Sequence, residues 1–152
     1  MCSHCGKCVE NCPVQALEYC EGKVVWHKER CVKCDTCIRI CPENASPRIE
    51  YLSAREVMET VKSCLPFIFG ITVSGGECTL RAEFLTELFE LAVKEGLDCL
   101  IDSNGTLDFS QERFARLIEL SNGVMLDIKS FDNDIHKMVC GRSNEVILKN
   151  AI

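Results

Sequence analysis

Eight of the thirteen cysteines fall into two copies of one spacing. Cys2, Cys5, Cys8 and Cys12 are followed by Pro13, and 29 residues further on Cys31, Cys34, Cys37 and Cys41 are followed by Pro42. Two-residue loops between thiols let three sulfur atoms converge on one metal centre, and the fourth, just before proline, starts a separate segment. Zinc takes four ligands in two pairs, which leaves the third cysteine and the Cys-Pro ending unexplained. Disulfides need an oxidising compartment, and no secretory apolar segment precedes Cys2. Large apolar residues are few between positions 1 and 50. Metal ligation must therefore supply much of the free energy that orders this stretch.

The double run reproduces that of bacterial ferredoxins. That resemblance implies two [4Fe-4S] clusters with crossed ligands: Cys2, Cys5 and Cys8 with Cys41 on one, and Cys31, Cys34 and Cys37 with Cys12 on the other. Given eight suitable thiols, His4 and His27 read as surface residues. Cys20, Cys64, Cys78, Cys99 and Cys140 are left over, an odd set that fits a reducing cytoplasm better than a disulfide scaffold. The formal charge of −6 counts every cysteine as neutral. Eight thiolates around two oxidised cubes add roughly −4, which argues against general nucleic-acid binding. No apolar run is long enough to span a bilayer, so neither a nucleic-acid nor a membrane partner is expected.

The cysteine-rich region is expected to form one domain over residues 1–50, with a hairpin of residues 16–19 and 23–27 around Glu21-Gly22. From Ser53 the pattern changes to helix and strand alternation, giving a second domain over 51–152. Ser53 and Glu56 form a capping box before a helix with Ala54, Val57, Met58 and Val61 on its apolar face. Strands are expected over 69–73, 98–102 and 124–128, with helices over 81–95, from 110, from 132 to Gly141, and from 144. Gly96 is placed to stop the helix over 81–95. Each strand is an apolar run, which predicts parallel strands covered by helices, in an open α/β sheet or part of a β/α barrel. Ligands of both architectures bind at the carboxyl ends of the strands.

Polar residues gather at those ends. Gly75 and Gly76 let backbone approach a ligand, Glu77 and Asp102 offer acceptors to an ammonium group, and Asp127 and Lys129 suit a hydroxyl pair and a carboxylate. The bland reading is a strand-to-helix turn, an early helix charge and an ordinary ion pair.

The stretch from Ile71 to Glu77 resembles the GGE motif of radical S-adenosylmethionine (SAM) enzymes. Asp102-Ser103-Asn104-Gly105 resembles a strand end of the glycyl-radical-enzyme activases. The stretch from Val124 to Lys129, followed by His136, Gly141, Ser143 and Asn144, is similar to a further motif of the same enzymes. The match is strongest to YjjW-type activases, which carry a double-cluster ferredoxin insert. The resemblance implies a ferredoxin-like 2[4Fe-4S] domain followed by three parallel strands of a partial, TIM-like β/α barrel. It implies SAM contacts from Gly75, Gly76, Glu77, Asp102, Asn104, Asp127, Ile128 and Lys129. It also implies a glycyl radical enzyme as protein substrate and a flavodoxin- or ferredoxin-type electron donor.

Departures from the family pattern are specific. No C-x3-C-x2-C loop occurs, so a third, SAM-cleaving cluster is expected only in a full-length parent, and no catalytic residue is assigned here. The first ligand at residue 2 and an apolar helical pattern still running at Ile152 suggest an excerpt of a longer protein. Cys140 stands where the family has Thr, and Cys78 where Pro is common; a small buried residue is the expectation for Cys78. The competing function is an electron-transfer protein with a non-catalytic α/β domain, which SAM affinity separates from the first.

Overall fold

A computed structural model describes residues 2–152. The chain divides into two compact units, with the boundary between Tyr51 and Leu52. In the first, the sequence repeat is also a backbone repeat. Helix α1 (Lys7–Glu10) and helix α2 (Thr36–Arg39) are single turns 29 residues apart. Left-handed backbone recurs at the same offset: His4 and Lys33 (φ 56° and 54°), Gly6 and Asp35 (76° and 60°), Gln15 and Asn44 (51° and 50°). The Ala16 amide donates to Cys12 Sγ at 3.2 Å, and the Ala45 amide to Cys41 Sγ at 3.3 Å. Between the halves, strands β1 (Leu17–Cys20) and β2 (Lys23–Trp26) pair antiparallel, with Leu17 opposite Trp26. Their turn, Glu21-Gly22, has positive φ at both residues (49° and 77°), the mirror-image turn that matches strand twist. Among the described residues of this unit, only Ala16 and Leu17 are buried apolar residues.

The second unit holds its own core. Helix α3 (Ala54–Cys64) begins with the complete Ser53–Glu56 capping box, and a 3₁₀ turn (Leu65–Phe67) follows it. Strands β3 (Gly70–Val73), β4 (Asp98–Ser103) and β5 (Gly123–Leu126) form a parallel sheet in that order. Helix α4 (Ala82–Lys94) follows β3, helix α5 (Glu112–Leu120) follows β4, and helices α6 (Asn133–Cys140) and α7 (Glu145–Asn150) follow β5. Helix α4 ends as the sequence suggested. Gly96 (φ 77°) lets its own amide reach Val93 O and the Leu97 amide reach Ala92 O, at 3.0 and 3.1 Å.

One detail differs from the sequence reading, the end of the third strand, and two refine it. The segment that starts at Cys78 is first a 3₁₀ turn (Cys78–Arg81), because the Glu77 side chain ties down the Thr79 amide before the α-helix begins. Strand β5 stops at Leu126: the Asp127 amide still reaches Ser103 O, but the Ile128 amide folds back onto Leu126 O. The third strand therefore excludes Asp127 and Ile128. Finally, helix cover is one-sided. Ile71, Val73, Cys99, Ile101 and Val124 pack into a core with Met58 of α3, Leu85 and Phe89 of α4, and Phe114 and Leu117 of α5. Thr72, Asp102 and Met125 on the opposite face are exposed.

Candidate functional site

The eight cysteines of the two runs line two cavities in the first unit. Cys2, Cys5, Cys8 and Cys41 border one of about 300 Å³, with Ile49 and Tyr51 among its walls. Cys12, Cys31, Cys34 and Cys37 border the other, a tight space of about 20 Å³ between Leu17, Trp26 and Arg48. Among the described residues, no three His, Cys, Asp or Glu side chains converge on a single metal ion. A cube places no such demand, since each thiolate binds a different iron at a different corner. Four thiols around each cavity thus fit a cube in chemistry, and the first cavity also has room for it as it stands. The local backbone fits as well. Left-handed His4, Gln15 and Lys33 are costly conformations that persist only where surroundings impose them, and this unit has almost no core to do so.

Local groups act on the thiols. The Trp26 indole favours ionisation of Cys31, and the Thr36 side chain that of Cys34, so both lie below the ordinary thiol value. Burial pushes Cys8 and Cys37 up. His27 lies 3.2 Å from Glu18 and 3.7 Å from Glu29, away from the cavity-lining thiols. His4 is exposed.

In the second unit, the carboxyl ends of β3, β4 and β5 lie side by side because the three strands are parallel and adjacent. A cavity of about 500 Å³ opens there, bordered by Glu77, Asn104, Asp127 and Lys129. Gly75, Gly76, Asp102 and Ile128 occupy the same edge but do not line it. A Cβ added to Gly75 or Gly76 would meet nothing within 4 Å, so the space above both is open to another molecule.

Glu77 is committed to the protein. Its Oε1 accepts from the Thr79 amide (3.1 Å), the Thr79 hydroxyl and Ser103 Oγ (2.9 Å), and its Oε2 from the Asn104 amide (2.9 Å). Partial burial opposes its ionisation, but these hydrogen bonds outweigh that and hold its carboxyl below the usual range. Glu77 thus latches the loop after β3 to the end of β4, a role the sequence reading did not give it. Cys78 seconds the latch: its thiol lies 3.4 Å from Val73 O and 3.2 Å from Asp102 O. Burial raises its pKa, with the Glu77 and Asp102 carboxylates adding to the effect, so it is a protonated donor.

Asp127 and Lys129 pair with each other, which raises the ammonium pKa; Cys140 and Asp102 add smaller contributions. The cavity takes further residues that spacing alone did not single out for the site: Leu80, Thr106, Leu107, Arg142 and Ile147, together with Cys140 and His136. His136 is buried and its Nδ1 lies 2.8 Å from Arg142 O, which fixes the turn after α6. The motif around His136 and Gly141 was the sole sequence signal for this wall. Asn144, also buried, donates to Ser130 O and Phe131 O at 2.9 Å and so anchors the loop that follows Lys129.

Residues 19–151 match the Radical SAM superfamily, and the chain belongs to it. Residues 1–18 match the 4Fe-4S binding domain. Among curated proteins, the (2S)-3-sulfopropanediol dehydratase activating enzyme of Klebsiella oxytoca is 31% identical over 97% of this chain and 48% of its own length. The 4-hydroxyphenylacetate decarboxylase activating enzyme of Clostridium scatologenes is 27% identical over 96% of this chain and 48% of its own. The pyruvate formate-lyase-activating enzyme of Streptococcus mutans reaches 43% identity over 54% of this chain and 33% of its own. The chain thus spans about half the length, or less, of these relatives. No helix among the described residues is long and apolar enough to cross a membrane.

Proposed function

We propose that this chain is the electron-relay and SAM-binding part of an enzyme that activates a glycyl radical enzyme. The observation that carries the reading is the strand-end cavity of the second unit, where Asn104, Asp127 and Lys129 from two adjacent strand ends meet around about 500 Å³. The first unit, residues 1–50 with its edge at Tyr51, is read as a ferredoxin-like domain with two [4Fe-4S] clusters. Cys41 completes the set of Cys2, Cys5 and Cys8, and Cys12 that of Cys31, Cys34 and Cys37. The second unit is read as three β/α steps of a partial barrel, a reading supported by helices packed on one sheet face alone. An iron-sulfur centre supplies the electron that cleaves SAM to methionine and a 5′-deoxyadenosyl radical. A third cluster for that step is expected in the full-length parent, on a C-x3-C-x2-C loop, a spacing these 152 residues do not contain. A flavodoxin- or ferredoxin-type protein is the expected donor, and a glycine of the partner enzyme the final target.

The protein's own contribution is positioning. The backbone of Gly75 and Gly76 and the Asp102 carboxylate receive the ammonium of SAM, Asp127 the ribose hydroxyls, and Lys129 the carboxylate. Glu77, with its oxygens already occupied, holds Asn104 and the β4 end in place instead of binding the ammonium itself. Ile128 separates the two charged groups. The test is a SAM titration followed by amide NMR on the isolated 152-residue chain. Signals of Gly75, Gly76 and Asp127 should shift, and shift less in Lys129→Ala. Unmoved signals in the wild type would instead favour an electron-transfer protein with a non-catalytic α/β unit.

A further inference from the structure

Trp26 is the sole tryptophan of the chain, and it stands at the end of β2. Its indole Nε1 is the single buried side-chain nitrogen or oxygen among the described residues that has no hydrogen-bond partner. A buried donor left unpaired is costly, and native proteins seldom leave one without a reason. The indole borders the tight cavity of Cys12, Cys31, Cys34 and Cys37, and it lies beside the Cys31 sulfur without completing a hydrogen bond to it. Among the described residues, no other buried, unpaired donor borders the cavity of Cys2, Cys5, Cys8 and Cys41, which the exposed His4 and Tyr51 help to line.

The strand pairing explains why the ring stays there. Trp26 is opposite Leu17, which is buried and lines the same cavity. The next residue, His27, donates its amide to Ala16 O at 2.9 Å, so the backbone on both sides of the ring is held. A tryptophan kept for packing alone would need no donor, and phenylalanine would serve. An N–H directed at a sulfur set has its use when those sulfurs carry charge.

We propose that the Trp26 indole N–H is a hydrogen-bond donor to the sulfur of the cluster held by Cys12, Cys31, Cys34 and Cys37, and that it sets this cluster's reduction potential above that of its neighbour. The inference rests on the two-cluster reading given above. The physical basis is charge: reduction adds one electron to the cluster, and a donor to its sulfur stabilises the more negative state. The electron then resides preferentially on the Trp26 side, which gives a pair of otherwise similar clusters an order.

The test uses the whole 152-residue chain, reconstituted anaerobically with iron and sulfide. Each cluster's reduction is followed by electron paramagnetic resonance during a potentiometric titration, with the two couples assigned by Cys12→Ser. Trp26 is changed to Phe and, to keep the shape of the ring, to the benzothienyl analogue that has sulfur in place of N–H. In both, the reduced-to-oxidised ratio of the Cys12/Cys31/Cys34/Cys37 cluster at a fixed potential should fall about tenfold, or 59 mV for one electron. The other cluster should not move, and iron content should stay at the wild-type level. An exchangeable proton strongly coupled to the reduced cluster should vanish with the isostere. Full iron content with unshifted potentials, or an equal shift of both clusters, would overturn the assignment to Trp26 alone. Protein that takes up no iron would remove the cluster reading itself, and the inference with it.

Discussion

The two units of this chain are ordered by different physics. The described residues up to Tyr51 bury Ala16 and Leu17 and little else of an apolar kind, while carrying His4, Gln15, Lys33, Asp35 and Asn44 in left-handed backbone. The second unit closes Met58, Leu85, Phe89, Ile101, Phe114 and Leu117 into one core and has no left-handed residue other than glycine. A core of that kind holds a fold by area removed from water. The first unit lacks the area and must draw on ligation, as small metal-binding domains do. The contrast teaches where each unit is fragile: one to loss of iron, the other to loss of packing.

The largest expected effect is therefore removal of iron. Chelation under reducing conditions should abolish hydrogen-exchange protection in the amides of β1 and β2, while the amides of β4 keep theirs. Protection that survives in both units would break the comparison outright.

Next in size is Phe89→Ala. Phe89 is fully buried, and its truncation should cost the second unit about 3–5 kcal/mol. The urea transition followed at α4 should move to lower concentration, with iron content and the optical absorption of the first unit unchanged. If both signals move together, the units unfold as one.

Glu77→Gln is a smaller and more local break. It keeps the shape of the side chain but weakens the acceptors for Thr79, Ser103 and Asn104, so a loss of about 1–3 kcal/mol is expected. Exchange at Asn104 and Gly105 should quicken first, because their amides depend on Glu77 and on Ser103 Oγ.

The smallest effect concerns pH. Lys149, together with the Ser110 hydroxyl and amide, holds the Asp108 carboxyl down at about 2, against an ordinary value of 3.8. A depressed carboxylate stabilises the fold at pH above 3.8, and that contribution is lost as pH falls through about 2. The urea midpoint of the second unit should drop over this window, and Asp108→Asn should flatten the drop. An unaltered slope in the variant would show that other carboxylates govern the acid limb.

Much of this was readable from local pattern. The Ser53 cap, the stop at Gly96 and the cap of α6 at Asp132 depend on neighbours within a few residues, and the chain spells them out. The end of β5 was misread because apolar character continues into Ile128 while pairing does not. Apolar strands also gave no sign that helices would cover one face of the sheet alone. At the site, the glycines, Asp127 and Lys129 stood out as residue types at strand ends. Arg142 and Thr106 did not, and His136 entered only as part of a motif after β5, since nothing in the spacing of these residues places them in the cavity.

The sequence by itself determined that the first unit would repeat, because the same loop lengths between thiols recur 29 residues apart and are answered by closely similar backbone at His4 and Lys33 and at Gln15 and Asn44. It also determined that the second unit would alternate strand and helix, since periodicity is a property of neighbouring residues. Tertiary structure alone decided that Glu77 would spend its charge on Ser103 and Asn104, 26 and 27 residues away, rather than on a ligand. It decided likewise that Trp26 would hide an unpaired N–H against Cys31. The reason is common to both: whether a polar group finds a partner depends on which atoms the fold brings within about 3 Å of it, and composition carries no record of that distance.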